Sequence, residues 1–214
     1  SDLNDKILGC LAGTAIGSSM GAATENLTPE QIEKQFGKID RLVPFVREAK
    51  IFRRPAGPTY QYHRDEREPG MTEDGVERQF LMTLAIVEKG GRITADDLAQ
   101  VWLRELQPEK HFGYLIEPTD AMFFKLLAGG VPPAAAGQYS WWPGLGGFAR
   151  SCYPIGIINA CRPDDAARDA IEVGRMFQPP QSFGLHWGAV VASAVAEALR
   201  PSSTLESIIQ SATC

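Results

Sequence analysis

Thr72, Glu73 and Asp74 place three oxygen-bearing side chains in a row. The Pro69-Gly70 turn precedes them, and an apolar-periodic run, residues 76–87, follows. A loop therefore passes into a helix at this trio. Hydroxyl and carboxylate oxygens at such a place suit a hard cation such as Mg²⁺, which takes oxygen ligands and keeps several waters. The same residues also fit a plainer role. Asp74 followed by Glu77 has the spacing of an N-cap with its capping-box partner, and acids in a first turn favour the helix dipole. One acid is enough for a cap, whereas this stretch has two and a threonine behind a long polar loop.

Two other stretches have residues suited to chemistry. Glu25 is a carboxylate on a short loop between two helices, either a solvated surface acid or a proton carrier. Residues 141–151 read Trp-Trp-Pro-Gly-Leu-Gly-Gly-Phe-Ala-Arg-Ser. Glycines let a backbone approach a ligand and present N–H groups to phosphate, although a plain turn fits the same composition. The stretch is not a P-loop, because the Lys-Ser/Thr ending is missing. Residues 40–71 form a long polar connection with Arg47, Arg53, Arg54, Arg64 and Arg67 set among Tyr60, Tyr62 and His63. Such a mixture suits a base and a phosphate, or only solvates the loop.

The elements that must position these residues read as helices. Residues 5–20 carry Ile7, Leu8, Leu11, Ala15 and Ile16 at helical spacing, with Gly9, Gly13, Gly17 and Gly21 as a bare stripe. Each interior glycine costs about 1 kcal/mol against alanine, so the stripe is expected to pack closely on a neighbouring helix or a ligand. Thr28-Pro29-Glu30-Gln31 opens a short helix with a capping box and ends it near Gly37. Val76, Phe80, Leu84 and Val87 are expected to line the face of the next helix, which Gly90-Gly91 ends. Thr94 to Asp97 resembles a capping box, and Thr119 opens a further helix closed by Gly129-Gly130. Residues 163–176 and 185–199 give two more, with Ala166, Ala167, Ala170 and Gly174 as a small-residue face and His186 as a core or cap histidine. A last helix begins at Ser203. No alternating strand of any length appears, so the fold class is all-α.

The totals limit the function classes. With 214 residues the chain is long enough for one domain with a sizeable core. A net charge of −5 argues against general nucleic-acid binding. Cys10, Cys152, Cys161 and Cys214 form no C-x-x-C pair, and there are only three histidines, so free thiols in a reducing cytoplasm are expected. Residues 7–24 carry no charge but are rich in Gly, Ala, Ser and Thr, and no membrane partner is expected.

Met71-Thr72-Glu73-Asp74-Gly75 resembles the Thr-Asp-Asp metal motif of the ADP-ribosylglycohydrolase family. Residues 5–25 are similar to that family's opening helix, and residues 144–157 to its glycine-rich loop followed by Pro-Ile-Gly. The resemblance implies an orthogonally packed helical domain over residues 1–214, lacking the family's C-terminal part. It implies Mg²⁺-dependent hydrolysis of an N- or O-glycosidic bond to ribose or ADP-ribose, on a small molecule or a modified side chain. Thr72, Glu73 and Asp74 are then the metal ligands, and Glu25 and Asp74 the catalytic carboxylates. Gly144, Gly146, Gly147, Phe148 and Arg150 line the substrate. Ser18 stands where the family has an aspartate, Glu73 where it has the first Asp of its motif, and Leu145 where it has an asparagine. Nothing after Asp169 matches the second, Asp-x-Asp-Thr, motif that completes a two-ion site, so an impaired hydrolase is expected. The alternative is a structural or ligand-binding protein that reuses the scaffold without the chemistry.

Overall fold

The structure is a computed structural model that describes residues 2–25, 27–47, 65–72, 74–107, 118–144 and 146–213, with backbone alone at 45–47, 65–67, 74 and 118. Among these residues, ten α-helices and one short 3₁₀ turn account for nearly all regular structure. Helix α1 is Asp2–Thr24, α2 Pro29–Phe36, α3 Asp74–Lys89 and α4 Ala95–Glu105. Helix α5 is Pro118–Ala128, α6 Pro133–Ala136 and α7 Tyr153–Ile158. Helix α8 is Pro163–Gly174, α9 Phe183–Ala198 and α10 Leu205–Thr213. The fold is all-α. The sequence reading missed one small addition, an antiparallel ribbon pairing Phe45–Arg47 with Asp65–Arg67 at the two ends of the long polar connection. Arg53, Arg54, Tyr60, Tyr62, His63 and Arg64 lie outside the described residues.

The caps form where the sequence places them. The Thr28 side chain accepts from the Gln31 N–H, and Gln31 Oε1 accepts from the Thr28 N–H. Thr94 and Asp97 make the same reciprocal pair at the start of α4. Gly37, Gly90 and Gly130 follow helix ends with positive φ, the left-handed turn that glycine adopts without a Cβ penalty.

The core is closed mainly by α8 and α9, with α7 packed across α9. Ala166, Ala170, Val173, Leu185, Ala192 and Ala196 are fully buried there. Small residues bring the helices into backbone contact: a Cβ on Gly156 would lie 2.6 Å from Val195 Cβ and 2.7 Å from the Ala192 carbonyl oxygen. A second part of the core is aromatic. Trp102, Phe123 and Phe148 surround the Phe177 ring with centroids 5.2, 5.8 and 5.8 Å away. On the outside, Arg92 grips Asp169 with two hydrogen bonds of 2.6 Å, and Asn159 Nδ2 donates to the same carboxylate at 2.8 Å. That carboxylate ties the α3–α4 connection to α8.

Three expectations from helical periodicity fail. Phe80 and Val87 are 67% and 69% exposed, and the buried face of α3 is Arg78, Gln79, Leu81, Met82 and Ala85. On α1, Leu8, Leu11 and Ile16 are exposed, and burial is confined to Ser19, Ala22 and Ala23. No atom lies within 4 Å of a Cβ built on Gly9, Gly13, Gly17 or Gly21, so the stripe meets no helix among the described residues. By length and hydropathy alone α1 is long and apolar enough to cross a membrane. His186 is exposed rather than in the core or the cap; Ser182 caps α9 by accepting from the Leu185 N–H at 3.2 Å.

The glycines therefore divide into two kinds with opposite responses to alanine. Gly13→Ala meets open space and is expected to stabilise the protein by about 1 kcal/mol through helix propensity. Gly156→Ala drives a methyl into α9 and is expected to cost about 1–3 kcal/mol. Urea unfolding of the two variants checks this; midpoints displaced in the same direction would contradict it.

Candidate functional site

The start of α3 and the glycine-rich loop, residues 143–151, lie against one another. Gly75 is buried, and a Cβ there would touch Arg150 Cγ and the Arg150 carbonyl oxygen, each at 3.5 Å. One turn further along α3, Gln79 fastens the contact. Its Nε2 donates to the Arg150 carbonyl at 3.1 Å, and its Oε1 accepts from Thr14 Oγ1 at 3.1 Å. A single buried amide thus joins α1, α3 and the loop.

Arg78 lies beside Gln79 and is 4% exposed. Its Nε and Nη2 donate to Asp120 Oδ2 at 3.1 and 2.8 Å, and its Nη1 donates to the Gly147 carbonyl at 3.4 Å. Asp120, in the first turn of α5, is 1% exposed. Neither residue was singled out from the sequence. Arg78 is the only guanidinium within the run 76–87, where a solvated face is the ordinary reading, and Asp120 directly follows a threonine read as a cap. A lone arginine inside an otherwise apolar helical run was the available signal. Thr119, Ser140, Trp142 and Gln178 border a small cleft beside the pair.

The loop itself is pegged by Phe148. Its ring is buried, stacks on Phe177, and fills the space over Gly188 and Gly174, where a Cβ would come within 2.4 and 2.7 Å of it. Phe148 thus anchors the loop in the core while also bordering the cleft beside Arg78 and Asp120. Gly147 is buried too, its carbonyl shared between Arg78 and the Ser151 hydroxyl, which donates at 2.8 Å. Gly144 and Gly146 are exposed with open space where a Cβ would stand. Arg150 is exposed at the loop's end, and Leu145 lies outside the described residues.

The residues of the proposed metal motif are only partly described. Thr72 is half-buried, and its Oγ1 donates to Glu77 Oε1 at 3.3 Å. Asp74 is the first described residue of α3. Glu73 and the Asp74 side chain lie outside the described residues. Among the described residues no group of three His, Cys, Asp or Glu side chains gathers closely enough to hold a metal. Glu25 is exposed just past the end of α1.

Compared with family models, residues 1–213 match the one described as ADP-ribosylglycohydrolase. The chain belongs to the ADP-ribosylglycohydrolase family. No curated protein matches it. Membership makes a glycohydrolase-type function the general expectation. In this member of the family, the motif at the start of α3 and the glycine-rich loop are joined through Gly75, the last residue of that motif, and through Arg78 and Gln79, which lie outside both motifs.

Gln79 is the bridge whose loss is easiest to read. Gln79→Leu keeps the volume but leaves the Arg150 carbonyl without its side-chain donor, and is expected to cost about 1–3 kcal/mol. Thermal melting measures it. A melting temperature equal to that of the parent would show that the amide bridge carries no weight.

Proposed function

We propose that the protein is a Mg²⁺-dependent hydrolase of a glycosidic bond at the anomeric carbon of a ribose, with an ADP-ribosyl or ribosyl substrate. The observation that supports the reading most is the contact between the start of α3 and the glycine-rich loop, made by Gly75, Gln79 and the Arg150 backbone. It brings the start of α3, the helix that follows Thr72, against the Arg150 end of a loop whose Gly144 and Gly146 leave open space for a phosphate or ribose. The donor chemistry fits Mg²⁺. The Thr72 hydroxyl and the Glu77 carboxylate meet at the helix start, and Glu73 and Asp74 add carboxylates in the same stretch of chain. Thr72, Glu73 and Asp74 would hold the ion, which when bound supplies Lewis-acid polarisation of oxygen ligands.

The protein's own groups then have separate tasks. Gly144 and Gly146 leave room for the substrate's ribose and phosphates, and the exposed Arg150 offers a cation to the phosphates. In the hydrolysis, the bond from C1′ to the leaving nitrogen or oxygen breaks and a C1′–O bond to water forms. One proton of that water passes to the leaving group. Glu25 carries this proton or holds the water, and the carboxylates nearby favour the oxocarbenium-like charge at C1′. Among the described residues, Cys10, Cys152 and Cys161 are free thiols. Burial pushes the Cys152 thiol up to about 12, so it takes no part as a nucleophile.

Glu25→Gln is expected to lower the rate of ADP-ribosyl-arginine hydrolysis about 10²–10⁴-fold. The melting temperature should stay unchanged, since Glu25 is exposed. In the parent, Mg²⁺ should raise the melting temperature, and Asp74→Ala should abolish that rise. A Glu25→Gln rate within a few-fold of the parent would remove this residue from the chemistry, and a Mg²⁺ response that survives Asp74→Ala would remove the motif from metal binding.

A further inference from the structure

We propose that the buried Arg78–Asp120 pair is a positioning device that sets the glycine-rich loop against the start of α3. The proposal rests on the reading of that loop as the ADP-ribose site. Its basis is the distribution of Arg78's donors. The guanidinium is planar, always charged and 4% exposed, so every orientation it adopts must be matched by fixed acceptors. Asp120 Oδ2 takes two of its N–H groups, at 3.1 and 2.8 Å, which fixes the plane of the fork. The plane so fixed aims Nη1 at the Gly147 carbonyl, 3.4 Å away. That distance is long for a hydrogen bond, but a full charge with water excluded attracts a carbonyl dipole over a longer range than a neutral donor does.

Gly147 is where a directional hold has most effect. It immediately follows Gly146 and precedes Phe148. The Phe148 ring gives the loop an apolar peg, but apolar contact does not fix the direction of a peptide plane. The Arg78 and Ser151 donors on the Gly147 carbonyl do fix it, and they set the peptide that links the peg to the exposed glycines. Arg78 stands one residue before Gln79, which holds the Arg150 carbonyl at the loop's other end. Both anchors therefore belong to one helix, α3.

A pair kept for stability alone gives a different experimental result from a pair kept for position. Replacing both members of a buried ion pair by apolar residues is often neutral or stabilising. Arg78→Met with Asp120→Leu is therefore expected to melt within a few degrees of the parent. If the pair positions the loop, the same double variant binds ADP-ribose at least about ten-fold more weakly by calorimetry, the loss of one charge-assisted contact. Amides of residues 146–151 should exchange with deuterium several-fold faster, and the Mg²⁺-dependent rise in melting temperature should be kept. Parental ADP-ribose affinity together with parental exchange in the double variant would overturn the proposal. If the parent itself fails to bind ADP-ribose, the substrate reading falls. The exchange comparison then decides alone: faster exchange supports the positioning role and unchanged exchange overturns it. If the double variant does not fold, Arg78→Lys takes its place. A lysine keeps the charge beside Asp120 but lacks the planar fork, so reduced affinity and faster exchange are expected, and parental values of both would overturn the proposal.

Discussion

A guanidinium without water is the constraint on which this fold's site depends. An isolated charge in the interior costs several kcal/mol unless it is neutralised and its donors are matched. Arg78 meets that requirement with groups far away in the chain: Asp120, 42 residues on, and the Gly147 carbonyl, 69 residues on. The three segments that supply them, α3, α5 and the glycine-rich loop, must therefore come together before the charge can be buried. Once they have, the loop can leave only by giving up the Arg78 Nη1 bond to the Gly147 carbonyl. The same contact that makes Arg78 tolerable inside the protein also limits the freedom of the loop.

Packing on the loop's other side works without charge. The Phe148 ring occupies space that side chains at Gly174 and Gly188 would deny it, so α8 and α9 approach the loop as bare backbone. Phe177 and Trp102 carry this contact on to α4. The loop is thus fastened from below by apolar contact and from the side by hydrogen bonds to α3. Only Gly144, Gly146 and Arg150 among its expected ligand residues remain at the surface.

Much of this was legible in the sequence, and the parts that were not share a cause. Caps are local: Thr28 with Gln31, Thr94 with Asp97, and glycines after helix ends need only neighbours within four residues, and they form as expected. The small-residue face of α8 is also local, and Ala166, Ala170 and Gly174 of it are buried while Ala167 is half-buried. The face of α3 was misjudged because periodicity gives apolar side chains to the core and polar ones to water. Here Arg78 and Gln79 are inside and Phe80 and Val87 outside. What reverses the assignment is the set of distant acceptors and donors at Thr14, Asp120, Gly147 and Arg150, which no window on α3 contains. The anchoring of Phe148 was not legible for the same reason, since the glycines that receive its ring lie on two later helices.

Helix α1 shows how little contact is needed to hold a long element in place. Its uncharged span is mostly exposed, so apolar burial along its length cannot fix it. Among the described residues, three points along it stand out. Near its start, Lys6 Nζ donates to the Ala198 and Arg200 carbonyls at 3.2 and 2.8 Å, a cation at the C-terminal end of α9 where the helix dipole favours one. In the middle, Thr14 donates to Gln79 on α3. At its end, Ser19, Ala22 and Ala23 are buried. A helix is stiff over this length, so three points along it define its line. Glu25 stands just beyond the last of them. Its backbone leaves the buried last turn of the helix that Gln79 touches at Thr14, so Glu25 departs from the same group of elements that holds the glycine-rich loop.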